Sequence, residues 1–206
     1  MTKVKICGIC HDAEIGIMNE LMPDYVGFVF ISKSRHFIAP EHAGLLHSKL
    51  RRNIKAVGVF SNSSLKSVAM SVEVAGLDMV QLHGDETGEY IAALREYIRC
   101  PIMKVYKVAK PIDAEKAMYS TADYVMLDGG SAGDGKTFDW SLLGTVRRKF
   151  FLSGGLTPEN LETAMNLSPQ PYALNVSSGV EANRMKDYRK VMKFILGVRN
   201  FRKNTN

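Results

Sequence analysis

Phe151-Leu152-Ser153-Gly154-Gly155-Leu156-Thr157-Pro158 brings together a short apolar run, a glycine pair and a helix start. The apolar run predicts a buried strand. The two glycines predict a tight turn whose backbone N–H groups are open to a ligand. Proline is favoured in the first turn of a helix, so Pro158 predicts that a helix begins here. This stretch therefore predicts a strand, a ligand-binding turn and a helix, the repeating unit of an α/β fold.

The same unit recurs along the whole chain. Predicted strands cover residues 3–7, 24–30, 54–60, 78–82, 102–108, 123–128, 150–153 and 172–176. Predicted helices cover residues 12–22, 40–52, 63–75, 87–98, 112–119, 140–149, 158–167 and 186–200. The strands are almost continuously apolar, as expected for parallel strands that are covered on both faces. Eight units predict an α/β protein with a single (β/α)8 barrel, the TIM barrel, over residues 1–206. The pattern alone leaves a doubly wound open sheet as the alternative.

Composition and charge indicate whether the chain is expected to contact a membrane or nucleic acid. The chain has no apolar run near the ~18 residues of a membrane span, and it opens directly into a predicted strand without a signal-peptide pattern. We therefore expect a cytoplasmic protein without membrane contact. The net charge of +6 invites a nucleic-acid interpretation. However, the basic residues from Lys186 to Lys203 recur at helix-like intervals and are not accompanied by an interleaved aromatic platform for stacking bases, which predicts a solvated helix face instead.

Four of the predicted strands end in a small or reactive residue followed by glycine. The junctions are Cys7-Gly8, Asp128-Gly129, Ser153-Gly154-Gly155 and Ser177-Ser178-Gly179. In a barrel these ends form the catalytic face, and the loops after the seventh and eighth strands typically bind phosphate. The last two junctions therefore predict a phosphate site. The loop from Gly133 to Gly135 is expected to add N–H donors or a lid.

The side chains at three strand ends have two open interpretations each. Cys7 is either a small buried hydrophobe or a reactive thiolate, and Lys5 is expected to point to the same side of the strand. Asp128 is either a turn former or a carboxylate that takes part in the reaction. The second interpretation arises because a carboxylate at the end of an apolar run is costly unless it is paired or used. His83 ends the fourth strand and is expected to face the site in a structural or substrate-binding role, not a catalytic one.

The spacing of Cys7 and Cys10 superficially matches half of a zinc or dithiol site. A second cysteine pair does not follow, and His11 adjoins Cys10 too closely to be an ordinary second ligand. We therefore expect neither a metal site nor dithiol chemistry at these cysteines.

Seven segments, in their order and spacing, resemble the phosphoribosylanthranilate isomerase family of tryptophan biosynthesis over nearly the whole chain. The segments are Lys5-Ile6-Cys7-Gly8-Ile9, Gly27-Phe28-Val29-Phe30, Val57-Gly58-Val59-Phe60, Val80-Gln81-Leu82-His83-Gly84-Asp85-Glu86, Gly135-Lys136-Thr137-Phe138-Asp139-Trp140, Leu152-Ser153-Gly154-Gly155-Leu156-Thr157-Pro158-Glu159-Asn160 and Val176-Ser177-Ser178-Gly179-Val180-Glu181.

The resemblance implies a (β/α)8 barrel that carries out an Amadori rearrangement without metal or cofactor. The substrate would be N-(5-phosphoribosyl)anthranilate and the product 1-(2-carboxyphenylamino)-1-deoxyribulose 5-phosphate. Asp128 would be the general acid at the furanose ring oxygen, and Cys7 the general base at C2. The resemblance also implies residues that bind the substrate phosphate, namely Gly155, Ser178 and Gly179, aided by the loop with Gly133 and Gly135. A monomer or a homodimer is expected.

The chain departs from the family pattern at several positions. The family usually reads Ser-Pro-Arg after the second strand, whereas Ser34-Arg35-His36 places the arginine one position earlier. Arg35 is expected to reach the anthranilate carboxylate by a loop shift, with a protonated His36 as the alternative. Asn175 replaces a carboxylate, and Asp134 adds a negative charge near the phosphate loop. These changes bear on the affinity for the substrate and on the specificity for its aromatic acid more than on the class of reaction.

The sequence leaves two other functions open. The shifted Arg35 is compatible with a related isomerase that acts on the aminoaldose phosphate of histidine biosynthesis. The glycine-rich turns alone would also suit a non-catalytic barrel that binds a phosphorylated metabolite. The second interpretation leaves the combination of Cys7 and Asp128 unexplained.

Overall fold

The computed structural model describes residues 1–129 and 137–201, and it confirms the predicted parallel barrel. The strands are β1 (Lys3–Cys7), β2 (Tyr25–Val29), β3 (Lys55–Phe60), β4 (Met79–Leu82), β5 (Ile102–Lys107), β6 (Tyr124–Asp128), β7 (Phe150–Leu152) and β8 (Ala173–Val176). They pair in parallel in chain order, and β8 pairs with β1 to close the ring.

Helices follow the strands and cover the outside of the barrel. They are α1 (Asp12–Leu21), α2 (Pro40–Ser48), α3 (Leu65–Ala75), α4 (Gly88–Leu94), α5 (Pro111–Met118), α6 (Leu161–Met165) and α7 (Tyr188–Asn200). Single 3-10 turns occur at Trp140–Leu143 and Ser178–Val180. None of the helices among the described residues is long and apolar enough to cross a membrane.

Side chains alternate between the inside of the barrel and the layer beneath the helices, as the two-residue period of a strand requires. On β1, Val4 and Ile6 belong to the large core shared with helical residues such as Met18. Cys7 instead packs with Val29 and Val59 inside the barrel. Below them, a second interior cluster fills the barrel floor; it consists of Tyr25, Val57, Met79, Met103, Val105, Met126, Phe151 and Ala173. The upper half of the interior is therefore the part left for polar groups.

Several predicted helices are longer than the observed ones: those over 40–52 and 87–98 end at Ser48 and Leu94. Two others are shortened for a local reason. The helix predicted over 140–149 is reduced to the 3-10 turn Trp140–Leu143. Beyond it, the Arg148 guanidinium donates hydrogen bonds to the carbonyl groups of Ala117, Ser120 and Ala122, which holds the segment against α5 and its exit. The helix predicted over 158–167 is reduced to Leu161–Met165, since the Asn160 side chain accepts a hydrogen bond from the Thr157 N–H before the helix begins.

The predicted basic helix 186–200 begins later, at Tyr188, because its first residues form a small hairpin. Strand β10 (Met185–Lys186) pairs antiparallel with β9 (Glu181–Ala182). The side chain of Lys186 is fully buried and lies 2.5 Å from the Glu181 carboxylate. The expectation that the basic residues from position 186 onward form a solvated face is therefore wrong for Lys186.

Candidate active site

A cavity of about 620 Å³ opens at the carboxyl ends of the strands. This volume is typical of a pocket for a small organic ligand. Seven predicted site residues line it, namely Cys7, Arg35, His83, Asp128, Gly155, Ser178 and Gly179. The remaining two, Gly133 and Gly135, lie outside the described residues. The strand ends therefore bring together groups that are up to 172 positions apart in the chain.

Cys7 is at the end of β1, and Gly27 on the neighbouring strand makes room for it. A Cβ atom on Gly27 would lie 2.7 Å from Cys7 Sγ and 2.9 Å from Lys5 Nζ. Both atoms therefore occupy the space that a side chain at position 27 would fill. Because both distances start from one point, Sγ and Nζ are no further apart than their sum, 5.6 Å. The expectation that Lys5 and Cys7 point to the same side of the strand is confirmed.

A chain of hydrogen bonds crosses the interior from β1 to β6. Lys5 Nζ donates to Asn175 Oδ1 at 3.0 Å, and Asn175 Nδ2 donates to Ser153 Oγ at 3.0 Å. Ser153 Oγ then donates to Asp128 Oδ2 at 2.6 Å. The three bonds run in one direction, with each donor on the Lys5 side and each acceptor on the Asp128 side. The chain fixes one oxygen of the Asp128 carboxyl group, while the other, Oδ1, lies beside Gly154.

His83 and Gln81 form the wall beside Asp128. Burial lowers the pKa of His83, and the charges of Lys5, Lys107 and Lys104 lower it further, although Asp128 acts in the opposite direction. The imidazole therefore favours its neutral form, which has one hydrogen-bond donor and one acceptor. Gln81 is almost fully buried, and its Oε1 accepts no hydrogen bond from any described residue.

Glu181 connects the two loops that border the cavity on the β2 and β8 sides. Its Oε2 lies 2.7 Å from Arg35 Nη2, and its Oε1 lies 2.9 Å from His36 Nε2. The His36 ring lies directly over Gly8, where an added Cβ would come within 2.9 Å of it. Arg35 remains half-exposed, whereas His36 and Glu181 are largely covered. The sequence interpretation named Arg35 and His36 as alternatives, and the structure shows both of them on one carboxylate.

The charge of Glu181 is fixed by its neighbours. Burial alone would raise the pKa of Glu181, but the side chains of His36 and Lys186 outweigh burial and hold this pKa at about 2. Lys190 Nζ also donates to the Glu181 carbonyl oxygen at 2.7 Å. Glu181 is therefore an ionised anchor for the β2 loop across the physiological pH range.

The loops after β7 and β8 are in direct contact. Gly154 and Gly155 have φ angles of +94° and +65°, which side-chain-bearing residues rarely adopt. A Cβ on Gly179 would come within 1.9 Å of the Leu156 carbonyl oxygen, so the β8 loop can lie this close only with glycine there. The N–H of Gly155 donates to no other described residue. Both loops line the cavity.

Several residues of the cavity and its border were not predicted in the arrangement that they adopt; Ser153 was expected in the phosphate-binding turn, and Asn175 was noted only as a lost carboxylate. Ser153 and Asn175 complete the interior chain, and Lys107, Gln81 and Glu181 join the cavity wall or its border. The sequence feature that could have identified the strand residues among them is a polar side chain at an inward-facing position of an otherwise apolar strand. Glu181 and Lys186 carried no such signal, since their partnership depends on a hairpin that helix periodicity concealed. Within residues 1–129 and 137–201, no group of three or more His, Cys, Asp or Glu side chains is arranged to hold a metal ion.

Comparison with known proteins identifies a family. The family described as N-(5'phosphoribosyl)anthranilate (PRA) isomerase matches residues 4–196. The N-(5'-phosphoribosyl)anthranilate isomerase of Clostridium kluyveri is 41% identical over 204 residues, covering 98% of this chain and 100% of that protein. The corresponding protein of Acetivibrio thermocellus is 40% identical over 212 residues, covering 97% and 96%.

Solved structures give the same result. The phosphoribosyl anthranilate isomerase of Thermotoga maritima superposes with a TM-score of 0.88 at 36% identity, covering 98% of this chain and 100% of that one. Another solved phosphoribosyl anthranilate isomerase, in complex with reduced 1-(o-carboxyphenylamino)-1-deoxyribulose 5-phosphate, superposes with a TM-score of 0.85 at 35% identity and the same coverage. A further structure contains monomers generated from the dimeric Thermotoga maritima enzyme, with a TM-score of 0.87 at 36% identity and the same coverage.

The Glu181 anchor predicts a pH dependence of stability. Because the pKa of Glu181 is lower in the folded chain than its ordinary 4.5, its stabilisation is complete above that pH and is lost as the pH falls toward about 2. We expect Glu181→Gln to have a lower thermal midpoint than the wild type at pH 7. This difference should shrink as the pH falls below 4.5, because the unfolded wild-type chain then takes up a proton at Glu181 that the folded chain does not bind until the pH nears 2.

Glu159→Gln is the matched control, because Glu159 pairs with Lys193 on the surface, where both side chains are more than 60% exposed. Its thermal midpoint should stay close to that of the wild type throughout. Thermal unfolding followed by circular dichroism between pH 3 and 7 gives both comparisons. A Glu181→Gln deficit that is the same at every pH would contradict the role of the ionised carboxylate.

Proposed function

The chain belongs to the N-(5'-phosphoribosyl)anthranilate isomerase family, and from this premise we propose that Cys7 is its general base and Asp128 its general acid. The family's reaction, a step of L-tryptophan biosynthesis, is an Amadori rearrangement of an aminoaldose to an aminoketose. The chain is an isomerase of this kind. The observation that carries the residue assignment is that one cavity is lined by both the Cys7 thiol and the Asp128 carboxyl group.

The reaction requires one acid and one base in succession. Asp128 gives a proton to the furanose ring oxygen, the C1–O bond breaks, and the nitrogen lone pair forms the C1=N bond of a Schiff base. The Cys7 thiolate then removes the proton from C2, and the electron pair forms C1=C2 of an enolamine while nitrogen becomes neutral. The enolamine gains a proton at C1 and loses one from O2. Ketone formation leaves the total number of protons unchanged.

The positions of the two groups suit this sequence. Cys7 ends β1 and Asp128 ends β6, so strands β7 and β8 separate them around the barrel. The Ser153 hydroxyl donates to Oδ2 of Asp128, which fixes that oxygen and supports the carboxylate formed after proton transfer. Such positioning of substrate between acid and base supplies much of the rate acceleration in reactions of this type.

The glycine-rich loops after β7 and β8 are proposed to bind the phosphate, through backbone N–H groups of Gly155, Ser178 and Gly179. Their support is the positive φ of Gly155 and the contact of Gly179 with the β7 loop. Gly133 and Gly135 remain part of this proposal as further donors.

Arg35 is proposed to bind the anthranilate carboxylate. It lines the cavity and is half-exposed, while Glu181 contacts only one of its nitrogen atoms, Nη2. The remaining guanidinium N–H groups can therefore meet a planar carboxylate, the geometry that arginine favours. His83 is proposed as a neutral hydrogen-bonding group for the sugar. We further propose that the enzyme works in the cytoplasm, without nucleic acid or membrane, as a monomer or a homodimer.

The acid–base assignment is tested by Cys7→Ser and Asp128→Asn. We expect each to lower kcat at least about 100-fold, the lower end of what a positioned acid or base contributes. Turnover of freshly prepared N-(5'-phosphoribosyl)anthranilate is the measurement. Cys100→Ser, which changes a half-buried thiol outside the cavity, serves as the control and should keep full activity. Full activity in both Cys7→Ser and Asp128→Asn would overturn the assignment.

A second test of the base uses the empty position above Gly27, which Cys7 Sγ and Lys5 Nζ flank. In Gly27→Ala the new methyl group would displace Cys7 Sγ and Lys5 Nζ, which are the movable ends of side chains. We therefore expect kcat/KM to fall at least about tenfold, while the chain still folds. Gly16→Ala on α1 is the control, since a Cβ there meets nothing within 4 Å. It should keep activity and gain about 0.5–1 kcal/mol in the free energy of unfolding.

The phosphate assignment is tested by placing a negative charge at the β8 loop. In Ser178→Asp the carboxylate should repel the substrate phosphate, so we expect KM to rise at least about tenfold. Inhibition by inorganic phosphate should weaken in parallel. Ser48→Asp, an exposed change on α2 outside the cavity, is the control. If both variants bind substrate like the wild type, the phosphate does not lie at Ser178.

A further inference from the structure

Three lysine side chains are buried among the described residues, and they differ in their partners. Lys104 lies 2.9 Å from the Glu86 carboxylate, and Lys186 lies 2.5 Å from that of Glu181. Lys5 is fully buried, yet its hydrogen-bond partner is the neutral amide of Asn175. Within the described residues, no carboxylate oxygen lies within 4.0 Å of Lys5 Nζ. A buried ammonium group without a counter-ion is costly, so its charge needs a partner.

The geometry offers one such partner. The thiol of Cys7 lies no more than 5.6 Å from Lys5 Nζ, because both flank the same empty position above Gly27. At this separation, inside a barrel with reduced dielectric screening, an ammonium group markedly favours a neighbouring anion. A thiolate also suits the site, since a general base must have lost its proton before it acts.

The orientation of Asn175 follows from its neighbours. An ammonium group has only donors, so Asn175 must turn its oxygen toward Lys5. Its nitrogen must then donate to Ser153 Oγ, and the Ser153 proton is left for Asp128. The amide therefore holds Lys5 in place without neutralising its charge.

We propose that Lys5 is the counter-ion of the Cys7 thiolate and that Asn175 positions it for this role. Lys5 is thus a positioning residue that acts through the base. The inference rests on the proposed function of Cys7 as the base. It adds the group that stabilises the negative charge of the thiolate, which this function requires.

Other charged and titratable groups also face the cavity. Lys33, Arg35 and His36 follow β2, and the last two are in contact with Glu181. His83 follows β4, Lys107 ends β5 and Asp128 ends β6. The position above Gly27 bounds the distance to Cys7 Sγ for Lys5 Nζ and for none of these other groups. The effect of Lys5 should therefore be separable from theirs by substitution.

The test is the pH profile of Cys7 alkylation by iodoacetamide, followed by peptide mass spectrometry so that Cys10 and Cys100 are counted separately. In Lys5→Met the pH midpoint of alkylation should rise by about one pH unit or more, the change equivalent to a tenfold shift in the ionisation equilibrium. Asn175→Asp keeps Lys5 but supplies a carboxylate, and it should shift the midpoint in the same direction. This second variant decides the question if Lys5→Met does not fold.

Lys104→Met is the matched control. It removes a buried strand lysine whose charge Glu86 already neutralises, and which alternates with the inward-facing Met103 and Val105. Its alkylation midpoint should stay within about 0.3 pH units of the wild type, a difference too small to signify a lost ion pair. An unchanged midpoint in Lys5→Met, or in Asn175→Asp if the former is unfolded, would overturn the proposal.

Alkylation requires no turnover, so the two proposals can fail separately. A midpoint that depends on Lys5, together with full activity of Cys7→Ser, would support the counter-ion and contradict the base assignment. A loss of activity in Cys7→Ser with no effect of Lys5 on the midpoint would support the base and overturn the counter-ion.

Discussion

The pairing of the first strand with the last is the constraint on which the rest of the molecule depends. In the closed register, Lys5 lies opposite Asn175 on the neighbouring strand. Their side chains form the first bond of the chain that reaches Asp128. Farther along the same seam, the Ser177 hydroxyl donates to the Cys7 carbonyl oxygen at 2.9 Å. A shift of one residue along this seam would turn these side chains outward, because strand residues alternate between the two faces. Closure of the barrel and assembly of the site are therefore one event.

The lower and upper layers of the barrel interior differ in polarity and in role. Its floor is largely apolar, with Tyr25 and Phe151 in edge-to-face contact and their ring centroids 5.5 Å apart. Above this floor, polar side chains project inward from strands whose outward residues remain apolar. Their hydrogen bonds would be weak in water but are strong in a dry interior, where an unmet donor or acceptor is costly. This arrangement holds a few groups in place through contacts among residues at the strand ends.

Much of the architecture was predictable, because it depends on local patterns. Apolar runs, helix-start prolines and strand-end glycines predict eight units and place Cys7 and Asp128 at the catalytic end. The resemblance assigned their roles, and those roles remain predictions. The contacts of Arg35 and His36 with Glu181 were not predictable, since they depend on the hairpin that ends at Lys186. Likewise, Asn175 was interpreted as a lost carboxylate, and only the three-dimensional arrangement shows what its amide connects.

Lys5 and Asn175 are 170 positions apart, which has a consequence for the newly made chain. Cys7 leaves the ribosome before Asn175, which lies 168 residues further along the chain. Contacts between distant segments form late, because the loop between them must first lose conformational freedom. Until then, the thiol is an ordinary cysteine that reacts slowly with electrophiles and oxidants. The proposed pair would thus give the enzyme its most reactive atom only when the finished barrel encloses it.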